Sequence, residues 1–571
     1  MPENEYKLWL DNVTDASLLE ELKSISNNKN EINERFYKKL SFGTAGLRGI
    51  IGAGTNRMNT YTVGQATKGL AEYIKTVTKG GKVAIAYDSR HKSEEFAKHA
   101  ASVLSENGIK VYIYKELMPT PMLSFAVRYL KCDAGIVITA SHNPAKYNGY
   151  KAYGNDGCQL GLKESEIVTE FIDKTDIFSV KKDNFDEALK AGKIEYIEND
   201  VIEAYLDAVQ ACSCSDSNYK FNDLSVIYTP LHGAGNKPVR AIFKRLGIKN
   251  VTVVPEQEKP DGSFPTLPFP NPEFKEAFDL AIKIAKSNPA DILIATDPDS
   301  DRVGAAIKNS NAENGYTLLS GNEAGALMLN YLLQRKKELN TLPKNPVAVK
   351  TIISTELCQM IADKYGCKLI NVLTGFKFIG GQIKLLEEKG EENRFIFGFE
   401  ESYGYLGGTY VRDKDAVIGS MLFCEMACYY KEKGLTLLDV LDNLYKEFGY
   451  IYNKQKSIVC EGQKGMENMA NAMQSIRENI PQTIGGLKVT GTKDYSVSLE
   501  KDFIGNKELK IDLPKSNVIT FILEKNCSVT VRPSGTEPKI KIYVSAFEST
   551  MEESKTLSDK IAESITGILN L

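Results

Sequence analysis

Short apolar runs rich in β-branched residues punctuate the chain, each followed by a polar loop and then by a stretch whose apolar positions recur at helical spacing. Three consecutive stretches share one plan: strand, loop, helix, strand, loop, helix, strand, loop. In the first, the run at 83–86 opens into Tyr87-Asp88-Ser89-Arg90, the run at 111–114 leads to Pro119-Thr120-Pro121, and Ile136-Val137-Ile138 leads to Ser141. In the second, 224–228 leads to Thr229-Pro230-Leu231-His232-Gly233, 251–254 to Lys259-Pro260-Asp261-Gly262, and Ile292-Leu293-Ile294 to a group of aspartates. In the third, the runs at 347–350 and 369–373 precede Thr374-Gly375-Phe376-Lys377, and 395–397 precedes Gly398-Phe399-Glu400-Glu401-Ser402. Strands alternating with helical stretches predict a mixed α/β sheet in each copy. The repeat is architectural, with little residue identity between copies. Beyond Lys454 the pattern changes to a helix over 466–479, several short strands and a closing helix over 551–565. The expected fold is α/β: three similar mixed-sheet α/β domains plus a smaller C-terminal α+β domain around a central cleft. Boundaries near 212, 335 and 455 divide it into 1–212, 213–335, 336–455 and 456–571.

Composition narrows the function. A chain of 571 residues exceeds one hydrophobic core. Its net charge of −3 gives no support for binding nucleic acid or a membrane surface, and no apolar run is long enough to span a bilayer. Residues 1–5 lack the basic start and apolar stretch of a signal peptide. The ten cysteines form no Cys-x-x-Cys, and Cys212-x-Cys214 is too isolated for zinc, so reduced, buried thiols and a cytoplasmic location are expected. Four histidines, at 91, 99, 142 and 232, leave little room for a histidine-built metal centre.

Two loops carry the chemistry. Thr139-Ala140-Ser141-His142-Asn143-Pro144 follows the apolar run 134–138, so Ser141 stands at the carboxyl end of a buried strand, where open α/β sheets place their ligands. Pro144 and a turn at Tyr147-Asn148-Gly149 are expected to interrupt regular structure. With His142 beside it and lysines at 146 and 151, Ser141 is a candidate phosphoryl acceptor; an N-capping serine in an ordinary polar loop is the plainer alternative. The second loop is Asp297-Pro298-Asp299-Ser300-Asp301-Arg302. Pro298 disfavours helix at Asp297, so the carboxylates at i, i+2 and i+4 can converge. Anions held about 5 Å apart repel by about 3 kcal/mol per pair at an effective dielectric of about 20. A dication removes that cost, and all-oxygen ligation suits Mg²⁺. A solvated acidic turn is the alternative. An EF-hand is not, because Arg302 and Lys308 stand where its glycine and glutamate belong. A third loop, Arg532-Pro533-Ser534-Gly535-Thr536, follows the apolar run 529–531 and offers an arginine, hydroxyls and a glycine amide suited to phosphate oxygens.

The order of these loops resembles the α-D-phosphohexomutase superfamily, four-domain enzymes that include phosphoglucomutases and phosphomannomutases. The resemblance covers the chain from residue 41 onward. It rests on Gly43-Thr44-Ala45-Gly46-Leu47-Arg48-Gly49, the Ser141 loop, the aspartate loop, Gly398-Phe399-Glu400-Glu401-Ser402 and the Arg532 loop. The first of these, with Arg57-Met58-Asn59, resembles the long branch that holds glucose and pentose phosphomutases. The segment before Gly43 carries no legible chemistry.

The resemblance implies a phosphoserine at Ser141 that exchanges its phosphoryl group with the sugar. It implies Mg²⁺ held by Asp297, Asp299 and Asp301, with a phosphate oxygen on Ser141 as a further ligand. Arg48 would approach the transferred group, and Arg302 would touch phosphate and substrate. Glu400 and Ser402 would read sugar hydroxyls, with Thr374, Gly375 and Lys377 nearby. Arg532, Ser534, Gly535 and Thr536 would grip the non-reacting phosphate. Lys151, Lys414 and His142 are the proton-handling candidates, and Arg412, beside Lys414, is a candidate substrate contact. Some relatives carry a histidine shortly after the sugar-loop serine; Gly404 here shifts the choice toward Lys414. A lysine base requires a lowered pKa. The implied reaction interconverts glucose 1-phosphate and glucose 6-phosphate through glucose 1,6-bisphosphate, with mannose or pentose phosphates as alternatives.

A haloacid-dehalogenase-type phosphatase wants Thr or Val where Asp301 stands, and would leave the Ser141 and Arg532 loops unexplained. A dinucleotide enzyme fails because Arg57 stands where the third glycine belongs. A non-catalytic sugar-phosphate sensor would be expected to lack the serine or an aspartate. Oligomeric state is not legible.

Overall fold

The computed structural model describes residues 2–43, 46–460, 462–534 and 539–570. Two compact units divide the chain: Met1–Gly321 with Phe376–Thr436, and Asn322–Gly375 with Leu437–Leu571.

The first unit contains two sheets built alike. The first has strands β1 (Gly46–Ile50), β2 (Lys82–Tyr87), β3 (Lys110–Tyr114), β4 (Ala134–Ile138), β5 (Tyr147–Gly154) and β6 (Ile194–Ile197), in the order β1-β5-β4-β2-β3-β6. The second has β7 (Ser225–Thr229), β8 (Asn250–Val253), β9 (Ile292–Thr296), β10 (Val303–Lys308) and β11 (Tyr316–Leu318), in the order β11-β10-β9-β7-β8. In each, parallel strands lie side by side and one of them turns back into an antiparallel partner: β4 into β5, β9 into β10. Phe395–Glu400 and Gly404–Leu406 make the same antiparallel return in a third place. Ser141, the aspartates and Ser402 all lie in these returns. The repeat read from hydrophobic runs therefore ends, each time, in a loop that holds candidate site residues.

β4 is buried along its full length and β2 from Val83 onward, and helices such as Thr60–Val77 and Ser93–Glu106 contribute to the same core as the first sheet. Helix Thr60–Val77 starts at a reciprocal cap between Asn59 and Thr62, which satisfies two N–H groups at once.

One expectation needs correcting. The turn expected at Tyr147-Asn148-Gly149 lies inside β5, which pairs with β1 on one side and β4 on the other. Gly149 is there for space: a Cβ would stand 2.5 Å from the Thr139 carbonyl oxygen and 2.8 Å from that of Leu47. Asn148 is buried and donates to the His91 carbonyl and Ser93 Oγ. Close approach, not chain reversal, selects these turn-type residues.

In the second unit, Val347–Thr351 pairs in parallel with Lys368–Val372. A C-terminal antiparallel sheet runs from Tyr450–Val459 through Lys539–Glu548, Ser528–Pro533, Ile519–Leu523 and Leu487–Asp494 to the hairpin Leu499–Asp502/Lys507–Lys510. Helices Gly462–Glu478 and Met551–Leu569 pack their apolar faces on it through residues such as Met473, Ile476, Ile561 and Ile565.

All ten cysteines are free, and only Cys212 is not fully buried. No helix among the described residues is long and apolar enough to cross a membrane.

Candidate active site

Ser141 has φ +51°, left-handed backbone that is uncommon outside glycine. Its N–H donates to Thr139 Oγ1 at 2.8 Å, and its carbonyl accepts from Arg90 Nη2 at 2.5 Å. Its Oγ donates to Asp297 Oδ2 at 2.8 Å and lies 3.1 Å from His142 Nδ1. The serine is 3% exposed.

The clamp on this loop was not foreseen. Arg90 donates to the carbonyls of Ser141, Asn143, Pro144 and Tyr147, pairs with Asp88 at 3.4 Å and lies 5.0 Å from the centre of the Phe264 ring. Asp88 accepts from Thr139 Oγ1 at 2.6 Å, Ser93 Oγ at 2.7 Å and the Arg90 N–H at 2.9 Å. The available signal was a pair of opposite charges two residues apart at the end of a buried strand, an expensive placement unless both are used.

The aspartate loop turns through Ser300, φ +50°. Asp297 Oδ1 closes it by accepting from the N–H groups of Asp301 (3.1 Å) and Arg302 (2.9 Å). Ligand-type oxygens of Asp297, Asp299 and Asp301 lie within 4.8 Å of one another, and all three residues are buried. Asp299 Oδ2 accepts from Thr120 Oγ1 at 2.9 Å and Lys151 Nζ at 2.8 Å. Asp301 Oδ2 faces Lys414 Nζ at 2.8 Å and Lys151 Nζ at 3.3 Å. The other oxygens, Asp299 Oδ1 and Asp301 Oδ1, are buried with no hydrogen-bond partner among the described residues. Burial and the two neighbouring carboxylates raise the Asp297 pKa well above its usual range. Burial also opposes charge on Asp299 and Asp301, yet the two lysines outweigh it and both pKa values are lowered. Orphaned buried oxygens on converging carboxylates suit an all-oxygen dication site.

Lys151 reaches the aspartates from β5, and Lys414 from the loop before helix Ala416–Glu432. Burial works against their charge, but Asp299 and Asp301 at Lys151, and Asp301 and Asp413 at Lys414, raise both pKa values. The lowered pKa that a lysine base requires is thus absent. His142 is the opposite case: burial, with Arg302 and Arg48 nearby, drops its pKa well below the ordinary value and leaves the imidazole neutral. Gly404 makes Lys414's position possible, because a Cβ there would meet Lys414 Cδ at 2.4 Å.

The remaining expected residues separate into groups. Arg48, on β1, is exposed and donates to Asn143 Oδ1 at 3.3 Å. Arg302 pairs with Glu273 at 2.5 Å, a partner not foreseen; burial disfavours its charge, but Glu273 and Asp301 raise its pKa. Glu400 ends its strand and is buried, and Ser402 follows in the return loop, half-buried. Lys377 opens helix Phe376–Glu387. Its buried Nζ has no hydrogen-bond partner among the described residues and lies 5.4 Å from the centre of the Phe378 ring. Burial lowers its pKa. Arg412, a candidate substrate contact, has a side chain 1% exposed that pairs with Glu387 (2.7 Å) and donates to the carbonyls of Thr409 and Val411, while its Nε has no hydrogen-bond partner among the described residues. Its backbone N–H donates to Ser124 Oγ, so it braces the loop that delivers Lys414. Thr374 and Gly375, both half-buried, belong to the second unit, as do Arg532 and Ser534 at the end of strand Ser528–Pro533. Gly535 and Thr536, with Thr44 and Ala45 of the first motif, lie outside the described residues.

Comparison with known proteins agrees with this arrangement. The family described as phosphoglucomutase/phosphomannomutase matches through its alpha/beta/alpha domain I over residues 39–177, domain II over 203–311 and domain III over 320–448. A protein named phosphoglucomutase from Staphylococcus haemolyticus is 40% identical over 519 residues, 91% of this chain and 92% of the relative. Another, from Staphylococcus saprophyticus, is 36% identical over 547 residues, 96% of this chain and 97% of the relative. In fold, the chain is similar to the open form of parafusin, a phosphoglucomutase from Paramecium, with a TM-score of 0.68 at 18% identity over 93% of this chain and 96% of that one. With Ser141, the three aspartates and Ser402 each in an antiparallel return of one repeated plan, and with these matches, the chain belongs to the phosphoglucomutase/phosphomannomutase family of isomerases.

Proposed function

We propose that the protein interconverts glucose 1-phosphate and glucose 6-phosphate through a phosphorylated Ser141. The observation that carries this reading is Ser141 Oγ at 2.8 Å from Asp297, within a loop whose other two aspartates are paired with Lys151 and Lys414. The same reading divides the chain functionally into phosphoserine (1–212), metal-binding (213–335), sugar-binding (336–455) and phosphate-binding (456–571) parts.

Asp297, Asp299 and Asp301 would hold Mg²⁺ beside Ser141. When bound, that ion supplies positive charge against the phosphoryl oxygens. Phospho-Ser141 passes its phosphoryl group to the 6-hydroxyl of glucose 1-phosphate: the Ser141 O–P bond breaks as the sugar O–P bond forms, the hydroxyl proton passes to the neutral His142 imidazole, Ser141 Oγ takes up a proton, and glucose 1,6-bisphosphate results. After the bisphosphate turns around, its 1-phosphate returns to Ser141 and glucose 6-phosphate leaves. The pKa directions divide the proton work. Lys151 and Lys414 enter charged, so they neutralise phosphoryl oxygens and can protonate the departing Ser141 Oγ. The neutral His142 imidazole, 3.1 Å from that oxygen, is in reach to accept a proton. Arg48 contacts the transferred group from β1, and Arg302 contacts both phosphate and sugar. Glu400 and Ser402 distinguish hydroxyls, Lys377 contacts substrate beside Thr374 and Gly375, and Arg532 with Ser534 grips the non-reacting phosphate. The last assignment rests on their chemistry and on the family resemblance.

The test is the product ratio from glucose 1-phosphate, with and without trace glucose 1,6-bisphosphate. Glucose 6-phosphate in large excess over inorganic phosphate, with the bisphosphate shortening any lag, is expected. Inorganic phosphate as the main product, unaffected by bisphosphate, would make the chain a hydrolase. Turnover of mannose or ribose 1-phosphate exceeding that of glucose 1-phosphate would transfer the assignment to that sugar.

A further inference from the structure

The segment before the first motif is a three-helix cap: Pro2–Asn12, Ala16–Ser24 and Lys29–Phe36. Its core of Tyr6, Trp9, Leu22, Ile32 and Phe36 includes Ala53 from the loop after β1. Trp9, the only tryptophan, is fully buried and packs its ring against Phe36, Tyr61 and Phe178.

The cap's polar contacts converge on the same loop. Glu21 accepts from the Ala53 N–H at 3.0 Å and from Arg35 Nη1 at 2.5 Å, while Arg35 Nη1 also donates to the Ala53 carbonyl at 3.1 Å. The Arg35 carbonyl accepts from the Asn56 N–H at 2.9 Å. Gly52 and Gly54 have φ +150° and +130°; a Cβ would stand 2.7 Å from Glu21 Oε1 at the first and 2.8 Å from the Arg35 carbonyl oxygen at the second. Gly52 thus admits the ion pair, and Gly54 the backbone of Arg35.

The far side of this loop leads into the site. The Ile50 carbonyl, at the end of β1, accepts from the Met58 N–H at 2.8 Å, and the Ile51 N–H donates to the Lys146 carbonyl in the segment after Ser141 at 2.9 Å. β1 itself pairs with β5, setting Arg48 opposite Gly149 and Gly46 opposite Lys151. Leu40, just after the cap, fills the space where a Gly49 side chain would be, with Cδ2 2.9 Å from that Cβ position.

We infer that the N-terminal cap is a positioning device for Arg48, acting through the Glu21–Arg35 pair on the Gly52–Asn56 loop. The inference rests on the role proposed above for Arg48, and its test is a double-mutant cycle in the full-length enzyme. Glu21→Gln keeps shape and removes charge. A misplaced Arg48 should lower kcat about fivefold with KM within about twofold, since a group that acts on the transferred phosphoryl loses its alignment. In an Arg48→Lys background the same substitution should cost nothing further, because coupled positions fail to add. Trp9 emission should stay unshifted, showing the cap still docked. Gly54→Ala, which displaces the loop while leaving the cap's charges intact, should show the same dependence on Arg48 and decides the matter if Glu21→Gln loosens the cap. Full activity of both variants, or equal losses with and without Arg48, overturns the inference. Absence of wild-type turnover on glucose 1-phosphate would instead defeat the functional reading.

Discussion

The aspartate loop and the start of helix Phe376–Glu387 both bury charge, and they treat it in opposite ways. At the loop, each cation has a carboxylate within about a hydrogen bond: Lys151 beside Asp299, Lys414 beside Asp301. Both lysines are held charged despite burial. At the helix start, Lys377 buries an ammonium that has no hydrogen-bond partner among the described residues and only the Phe378 ring nearby, and burial lowers its pKa. The first region is electrostatically closed except for two orphan carboxylate oxygens, which ask for a cation. The second asks for an anion. Pre-paired groups serve chemistry that must happen in one geometry; an unpaired one keeps its interaction for a ligand and makes the empty protein less stable.

Substitutions should break this contrast with effects of decreasing size. Removing the nucleophile comes first: Ser141→Ala should lower kcat more than about a thousandfold while leaving substrate binding near wild type. Peptide mapping of the purified wild-type protein should find phosphate on Ser141, and a fully active alanine variant would reject the assignment. Next, exhaustive chelation should abolish turnover and Mg²⁺ restore it, with Asp299→Asn lowering metal affinity and kcat by about a hundredfold. Undiminished activity in metal-free enzyme would show that the orphan oxygens hold nothing the reaction uses.

The lysines sharpen the comparison further. Lys414→Met should cost about ten- to a hundredfold in kcat, and it should raise the Asp301 pKa by removing the charge that holds it down. Carboxylate titration by NMR would read the second effect; an unchanged Asp301 would mean the pair is not coupled. Lys377→Met should act in the other direction on stability, raising Tm by a few degrees because an unpartnered buried cation disappears, while raising KM about tenfold. The pH dependence follows the sign of the shift. Burial lowers the folded-state pKa of Lys377, so its cost to folding is full below that pKa and fades as pH rises from it toward the unfolded lysine's ordinary value. Anion affinity falls over the same rise, before an ordinary lysine would begin to titrate. A KM independent of pH through the alkaline range would show that Lys377 meets no anion.

Hydrophobic runs made the strands legible, since a parallel strand buried on both faces must be largely apolar, as β4 is throughout, β2 from Val83 onward and β9 up to Thr296. Motif chemistry similarly exposed Ser141 and the three aspartates. What escaped depends on distant partners. Ser141 and Asp297 meet across 156 residues of chain, and no local pattern encodes which lysine faces which carboxylate. Gly149 misled for a definable reason: glycine reports that something comes close, and whether it is a turn or two flanking strands depends on residues elsewhere. The same holds for Gly52 and Gly54. That the Arg412 guanidinium faces carbonyls and Glu387 was equally beyond its sequence neighbours to show.

The left-handed backbone at Ser141 bears on what happens when the gene is damaged. An L-residue in that conformation costs about 1–2 kcal/mol, which glycine does not incur. A Ser141→Gly change would therefore recover part of the stability lost with the hydroxyl, leaving a folded protein that lacks its phosphoryl acceptor. Cellular quality control acts on unfolded chains and would pass such a molecule. If the loops proposed to hold sugar and phosphate still take up substrate, the lesion would behave as a long-lived decoy sequestering sugar phosphates, rather than as a simple absence.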